Sequence, residues 1–249
     1  MRYPNPPLHQ LGLNDPLPPP SMAWGQDSQA PGLLAIGGGL SVDRLLQAYK
    51  QCCFPWYSEG QPVMWWSPDP RMVLPTAGFT LHRSLRQAIK SFIKKPDTEI
   101  RIDTDFSAVI RACARAPRSG QNGTWIVPDM IRAYENLHRA GYAHSVETWT
   151  KGELVGGLYC VAIGRSVFGE SMFAQQPNAS KIALAALTCL CKAQGVVWID
   201  CQQKTSHLAS LGAHEISRQE FHEHTLTSTA LTNLNWNFDP IYWSQLLEL

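Results

Sequence analysis

Asp200 and Gln202 are the two polar side chains whose types and spacing most directly suggest chemistry. They end the stretch Gly195-Val-Val-Trp-Ile-Asp-Cys-Gln202, which otherwise has the apolar character of a buried strand. Because side chains alternate along a strand, we expect both to share one face, with Ile199 and Cys201 on the other. An acid beside an amide can orient an amine and assist its proton transfer. The alternative is a strand end that passes into a polar loop.

The elements around this strand have the order of an α/β protein. A helix is predicted from about Ala179 to Gln194, capped by Asn178 and ended by Gly195, and it leads directly into the strand. The order strand, helix, strand suggests a crossover connection in a mixed sheet. In such sheets, ligands tend to bind at the carboxyl ends of the strands. A further helix is predicted at 129–140, and further strands at 143–150, 154–164 and 166–171.

The N-terminal part of the chain has a different character. Residues 1–31 are rich in Pro, Asn and Gln and predict an extended arm on the surface. Ser41 is expected to cap a helix. The glycines at 37–39 before it fit a tight turn with positive φ or a phosphate loop, and the missing Lys-Ser/Thr favours the turn.

Residues 54–71 combine three tryptophans with four prolines. Prolines at this density exclude a helix and favour a shaped loop. The rings either fill the core of a small domain or form a platform on which a nucleobase stacks. We assign Trp65 and Trp66 to the core.

A local excess of basic residues stands out, because residues 82–118 carry nine Lys or Arg against four Asp or Glu. Four cations recur at helical spacing, opposite an apolar stripe that includes Leu85, Ile89 and Phe92. This basic stripe is either a solvated helix face or a surface for a phosphate backbone. It consists of Arg83, Arg86, Lys90 and Lys94.

Whole-chain totals narrow the class of protein. The 249 residues carry a net charge of +1, which gives no global attraction to nucleic acid or anionic membrane. No run of about eighteen apolar residues occurs, so we expect no membrane span. The seven cysteines form no C-x-x-C pair, and the histidines show no metal-ligand spacing. These patterns predict reduced, mostly buried thiols, a cytoplasmic location and no metal.

Several segments between residues 32 and 221, taken in order, resemble the bacterial leucyl/phenylalanyl-tRNA-protein transferase family. No single segment is decisive, but their joint occurrence is very specific. They are Gly32-Leu-Leu-Ala-Ile-Gly-Gly38, Phe54-Pro-Trp56 with Trp65-Trp-Ser-Pro-Asp-Pro-Arg71, Gly123-Thr-Trp-Ile126, His144-Ser-Val-Glu-Thr-Trp149, Leu154-Val-Gly-Gly-Leu-Tyr159, Gly169-Glu-Ser-Met-Phe173, Asn178-Ala-Ser-Lys181, Ile199-Asp-Cys-Gln202 and Ser210-Leu-Gly-Ala213.

The resemblance implies an aminoacyltransferase that acts as a monomer without a cofactor. Its partners would be Leu-tRNA and Phe-tRNA, with Met as a further donor, and protein or peptide acceptors that begin with Arg or Lys. Transfer would mark these proteins for N-end-rule degradation. The implied fold is α/β (α+β), with a small N-terminal domain at 1–70 and an acetyltransferase-like (GNAT) mixed-sheet domain at 71–249. The phosphate loop of true acetyltransferases is missing, which disfavours acetyl-CoA as donor.

The resemblance also implies roles for individual residues. Asp200 and Gln202 would be catalytic, with the Gln202 amide oxygen accepting a hydrogen of the attacking amine. Glu170 would receive the positive acceptor N-terminus, unless it is a structural carboxylate held by neighbouring groups. The basic stripe would bind the tRNA backbone. The terminal adenosine would be held by Trp56 and Trp125, and the transferred side chain would be bound by Leu158, Met172, Leu187, Cys191 and Ile199, each of which also fits an ordinary core position.

Two departures from the family pattern involve cysteine. Cys52 and Cys53 replace the usual Gly and hydrophobic residue before Phe-Pro-Trp, and Cys160 replaces Gly, where it would narrow the apolar pocket. Two rival functions stay open on the sequence. One is an acyltransferase of the same fold with another donor, such as a cell-wall aminoacyl transferase. The other is a non-catalytic module that binds RNA or N-terminal peptides.

Overall fold

The computed structural model describes residues 7–116 and 126–247, and this part contains eleven strands and seven α-helices. The strands are β1 His9–Leu11, β2 Leu33–Gly37, β3 Phe54–Pro55, β4 Met64–Trp66, β5 Arg71–Pro75, β6 Thr98–Ile102, β7 Ala143–Thr150, β8 Glu153–Ile163, β9 Ser166–Ala174, β10 Trp198–Gln202 and β11 His214–Ile216. The helices are α1 Val42–Lys50, α2 Arg83–Lys94, α3 Phe106–Arg115, α4 Pro128–Arg139, α5 Ala179–Ala193, α6 Ser206–Ser210 and α7 Arg218–Ser228.

A small sheet lies near the N-terminus, with the strand order β1-β2-β4-β3. Its edge strand β1 belongs to the proline-rich arm and pairs in parallel with β2, placing Leu11 opposite Gly37. The arm therefore completes a sheet, which its composition did not predict. The tryptophan segment contains the antiparallel pair β3 and β4 rather than an irregular loop alone. Trp65 and Trp66 are buried, which confirms them as core.

The turn that leads into α1 has the predicted geometry. Gly37 and Gly38 have φ angles of +84° and +68°, in the region that favours glycine. A Cβ on Gly37 would lie 2.6 Å from the Leu11 carbonyl oxygen, so this glycine also permits β1 to approach. The Ser41 hydroxyl accepts a hydrogen bond from the Arg44 backbone N–H at 3.2 Å, which confirms the predicted helix cap.

The large sheet has seven strands in the order β11-β5-β10-β9-β8-β7-β6, within the described residues. Strands β9 and β10 pair in parallel, and every other pair of adjacent strands in this sheet is antiparallel. The fold is thus mixed α/β, with a small N-terminal sheet followed by a larger one. The change of sheet falls between Trp66 and Arg71, and the domain bounds 1–70 and 71–249 stay a prediction.

Helices cover both faces of the large sheet and divide the core in two. Tyr159 and Val161 of β8 pack with α1, α3 and α4, while the alternating Leu158 and Cys160 pack with α2 and α5. This alternation is the expected consequence of a strand buried on both faces. The basic stripe lies on α2, whose Leu85, Ile89 and Phe92 are buried as predicted.

The helix α5 begins at Ala179 as predicted, but its start is not capped by a side chain. Asn178 has a φ of +67° and makes no capping hydrogen bond through its side chain, so the prediction that this residue acts as the cap is wrong. Its left-handed backbone points the side chain away from the geometry that a cap needs. The helix start instead packs closely on β8, since a Cβ on Gly156 would lie 2.4 Å from that of Ala179.

Candidate functional site

The two parallel strands at the centre of the large sheet open into a cavity. Their pairing joins Val167 to Ile199 and Phe168 to Asp200, after which β10 contains a bulge. The cavity has a volume of about 260 Å³ and lies where the carboxyl halves of β9 and β10 face each other. This splay cavity is lined by Leu158, Tyr159, Gly169, Glu170, Ser171, Met172, Leu184, Leu187, Ile199, Cys201, Gln202 and Leu208.

The splay cavity brings together most of the apolar residues that the family resemblance selected. Leu158, Met172, Leu187 and Ile199 all line it, whereas Cys191, near the end of α5, is buried in the core and does not. Sequence reasoning missed other lining residues. The spacing of Leu184, one helical turn before Leu187, is a signal that could have found the first of them. The remaining missed residues are Tyr159, Gly169, Ser171, Cys201 and Leu208.

Cys160 does not line the splay cavity, although the sequence suggested that it would narrow the pocket. It is fully buried in the core shared with α2 and α5. Burial raises the pKa of its thiol well above the ordinary value, which keeps it neutral. We therefore expect Cys160 to act as a small hydrophobic residue.

Asp200 is held by a buried arginine that the sequence analysis did not single out. Arg71 donates from Nε to Oδ1 at 2.8 Å and from Nη2 to Oδ2 at 2.7 Å, and both side chains are 1% exposed. Such bidentate pairing occupies both oxygens of the carboxylate. The signal for this pair was an arginine at the start of an otherwise apolar strand, because a buried charge requires a partner.

The same arginine joins the two sheets. Its Nη1 donates to the carbonyl oxygen of Cys52 at 3.1 Å. Its guanidinium also lies over the rings of Phe54 and Phe221, at 4.9 and 4.7 Å from their centroids. The Arg71–Asp200 pair is therefore fixed from the small sheet, the large sheet and α7 together.

Gln202 does not follow the simple alternation expected for a strand. The bulge between Asp200 and Gln202, with a φ of +57° at Gln202, lets Gln202 line the cavity together with Ile199 and Cys201. Asp200 instead contacts Arg71, and its Oδ1 accepts a hydrogen bond from the Gln202 backbone N–H at 3.0 Å. The Gln202 Nε2 is buried and has no hydrogen-bond partner within the described residues.

Glu170 faces the same cavity and is held by two tyrosines from helices. Tyr49 of α1 donates to Oε1 at 2.7 Å, and Tyr134 of α4 donates to Oε2 at 3.2 Å. The two hydroxyls also contact each other. Burial raises the pKa of the Glu170 carboxyl to about 7, although the Tyr49 hydroxyl stabilises the charged form. The expectation that this acid has a partner is confirmed.

Trp56, one of the two residues expected to contact adenosine, does not line the splay cavity. Trp56 directly follows β3, and its ring lies 5.4 Å from that of Trp66. Trp125 falls outside the described residues, so its expected contact with the adenosine stays a prediction. The four cations of the basic stripe lie on α2 and are not among the cavity residues.

Two other classes of feature, metal centres and membrane spans, have no counterpart in the described part of the chain. In the described ranges 7–116 and 126–247, no group of three or more His, Cys, Asp or Glu is arranged to hold a metal ion. Across the same ranges, every helix is too short or too polar to cross a bilayer. All seven cysteines are free thiols, and six are buried, as expected.

Sequence comparison decides the family. The family described as Leucyl/phenylalanyl-tRNA protein transferase matches residues 73–226, more than half of the chain. Its N-terminal domain matches residues 38–69. The chain belongs to the leucyl/phenylalanyl-tRNA protein transferase family. The resemblance seen in the sequence is thereby confirmed, and so is the expectation of an aminoacyltransferase.

Named relatives match along almost their whole length. A leucyl/phenylalanyl-tRNA–protein transferase of Polaromonas sp. is 58% identical over 241 residues, which cover 97% of this chain and 94% of the relative. A protein of the same description from Albidiferax ferrireducens is 58% identical, with 97% and 95% covered. A third, from Cupriavidus necator, is 58% identical with 92% of each chain covered. These matches place the splay cavity in a transferase.

Proposed function

We propose that this aminoacyltransferase moves Leu or Phe from charged tRNA to the α-amino group of proteins or peptides that begin with Arg or Lys. Met is a further donor residue. The product carries a new peptide bond and is marked for N-end-rule degradation. The enzyme acts in the cytoplasm as a monomer and requires no cofactor, since the ester of an aminoacyl-tRNA is already activated.

The observation that carries this proposal is the composition of the splay cavity. Its apolar walls include Leu158, Leu187 and Ile199, while Glu170 and Gln202 supply polar groups. Small-molecule sites commonly measure about 300–1,000 Å³. A volume of about 260 Å³ therefore suits one amino-acid side chain better than a whole aminoacyl-adenosine.

The lining also supports a preference for side chains that are unbranched at Cβ. Met172 has a flexible thioether that adapts to both a leucyl and a phenylalanyl side chain. The adenosine would lie outside the cavity, on Trp56 and Trp125, because an aromatic face accepts a base by stacking. The tRNA backbone would contact the basic stripe on α2 through its phosphates.

The polar residues have distinct parts in the proposed reaction. Glu170 is the acid that would attract the positive N-terminus of the acceptor. Gln202 would contact the attacking amine from the opposite strand. Asp200 does not line the cavity, and Arg71 donates to both of its oxygens. It would act as a positioning residue that fixes the Gln202 backbone through their 3.0 Å hydrogen bond.

Transfer of a labelled amino acid tests the function directly. The protein is incubated with labelled Leu-tRNA, Phe-tRNA or Met-tRNA and a peptide that begins with Arg or Lys. We expect label to enter these peptides, but not matched peptides that begin with Ala or carry an acetylated N-terminus. Ile-tRNA and Val-tRNA are the donor controls. Binding of charged tRNA without any transfer would contradict the proposal and favour a binding module.

A further inference from the structure

The acceptor amine must lose protons before and during its reaction, and the structure limits which group can take them. A terminal α-amino group has a pKa of about 7.7–8.0, so most of it is ammonium at neutral pH. An ammonium has no lone pair and cannot attack an ester. The enzyme gains rate if a group next to the bound ammonium removes one proton.

Among the described residues that line the splay cavity, Glu170 is the only acid. Asp200 does not line the cavity, and its bidentate pair with Arg71 is 1% exposed, so the acceptor amine has no access to its carboxylate. Gln202 has no basic lone pair that could hold a proton at this pH. The geometry leaves the Glu170 carboxylate as the proton acceptor.

We propose that Glu170 removes a proton from the acceptor ammonium, and that Tyr49 and Tyr134 are positioning residues that hold its carboxylate toward the cavity. This inference rests on the proposed function and adds a chemical step to it. The two hydroxyls approach different oxygens, at 2.7 and 3.2 Å, and so restrain the rotation of the carboxylate. They reach Glu170 from helices α1 and α4, on the opposite side from α5.

The electrostatic surroundings of Glu170 suit this step. Burial raises the pKa of its carboxyl to about 7, and nearby Asp200 raises it further, while Tyr49, Tyr134 and Arg71 favour the charged form. The group is consequently near half ionisation at neutral pH. A base with a pKa close to the working pH combines a useful population of the ionised form with useful proton affinity.

The complete reaction is balanced without any further reagent. One proton passes from the ammonium to Glu170, and the neutral amine then attacks the ester carbonyl carbon. The new C–N bond forms as the C–O bond to the ribose breaks. The second proton leaves the nitrogen and ends on the released ribose hydroxyl. Glu170 then returns its proton to solvent.

The pH dependence of transfer tests this inference. The maximal rate at saturating Leu-tRNA and Arg-peptide is measured from pH 5.5 to 9 for the wild type and for Glu170→Gln, which retains an acceptor oxygen for the tyrosines. The wild-type rate should rise with a midpoint near 7, as the carboxyl ionises. In Glu170→Gln the rate should fall about 100-fold at pH 7. Its midpoint should move to about 8, where the amine itself becomes neutral.

Tyr134→Phe provides a second, milder variant. Losing its hydrogen bond removes stabilisation of the carboxylate, so the midpoint should move to higher pH with a modest loss of rate. The matched controls are Glu153→Gln at the exposed start of β8 and Tyr142→Phe, and both should retain the wild-type profile. Thermal unfolding of each variant shows whether it is folded.

The possible results separate this inference from the function on which it rests. If Glu170→Gln keeps the wild-type maximal rate and midpoint and only raises the KM for the peptide, Glu170 recognises the cation and removes no proton. An unchanged midpoint in a folded Tyr134→Phe would overturn the positioning role. Should the wild type itself transfer no label at any pH, the proposed function fails, whatever the variants do.

Discussion

At the scale of single residues, a buried ion pair fixes the end of the strand that borders the splay cavity. Arg71 and Asp200 form a bidentate ion pair with almost no solvent exposure. Burying two charges is costly, so such a pair adds little net stability compared with apolar residues, but removing one partner leaves the other charge uncompensated. The pair fixes the bulge from which Gln202 enters the cavity.

Replacing one member of this pair should destabilise the protein more than replacing both. Arg71→Met should lower the free energy of unfolding by about 3–5 kcal/mol, because Asp200 is left buried without a partner. Adding Asp200→Leu should recover part of this loss. Urea unfolding of the wild type, both single variants and the double variant measures the coupling. Additive losses would show that the two charges do not depend on each other.

Gln202 should affect the reaction much more than the stability. Gln202→Ala is expected to lower the rate of transfer by about 100-fold, because it removes the polar group that contacts the amine. Its midpoint of unfolding and its affinity for charged tRNA should change little, since Nε2 makes no hydrogen bond within the described part of the protein. Gln203→Ala, the exposed neighbour, is the matched control. Wild-type transfer by Gln202→Ala would exclude the proposed role.

At the scale of elements, local irregularities set the positions of the functional groups. The bulge in β10 turns Gln202 toward the cavity, and the divergence of β9 from β10 creates the space that it faces. Cys52 also has a positive φ, of +61°, a backbone conformation that favours glycine. Its carbonyl oxygen, held in this conformation, accepts the hydrogen bond from Arg71.

The glycine turn before α1 makes a testable contribution to stability. Gly37→Ala should lower the free energy of unfolding. The strained φ alone costs about 1–3 kcal/mol. The added Cβ, 2.6 Å from the Leu11 carbonyl oxygen, should increase this loss. Gly60→Ala is a matched control, since Gly60 has a φ of +79° but no atom within 4 Å of an added Cβ. Equal losses in thermal unfolding would show that the contact with β1 contributes nothing.

At the scale of the whole molecule, the positive charge is local, because the chain is almost neutral overall. The net charge is only +1, yet Arg83, Arg86, Lys90 and Lys94 lie on α2, opposite its buried stripe. The splay cavity lies in the sheet against α5, so a single bound tRNA would have to reach both surfaces. Backbone contacts would position the tRNA, and the cavity would select the amino acid.

The salt dependence of transfer measures this electrostatic contribution. If four phosphates are contacted, raising the salt from 50 to 200 mM should lower kcat/KM for charged tRNA by about 100-fold. Replacing Arg86 and Lys90 by Gln should make this dependence about half as steep. Replacing Lys50 and Lys151 by Gln changes the net charge equally, but these residues lie outside α2. The dependence of kcat/KM on salt should then stay as steep as in the wild type. A flat response in the wild type would argue against the stripe as a tRNA surface.

The sequence by itself determined the class of fold, most elements and the family. The helix at 179–194, the strands at 143–150 and 154–164, and the buried face of α2 follow from periodicity, because local spacing decides which side chains face a core. Ordered motifs selected Glu170, Gln202 and five apolar residues, four of which line the cavity. These features depend on residue types and spacing alone.

Only the tertiary structure decided which groups meet. Arg71 and Asp200 are far apart in the chain, and an isolated arginine in a strand does not specify its partner. The bulge that separates Asp200 from Gln202 is a property of paired strands, so alternation within β10 alone gave the wrong shared face. Tyr49 and Tyr134 reach Glu170 from two helices, whose packing against the sheet involves contacts distant in sequence. Long-range packing, rather than local pattern, turned a polar strand end into a cavity whose described lining contains one carboxylate, that of Glu170.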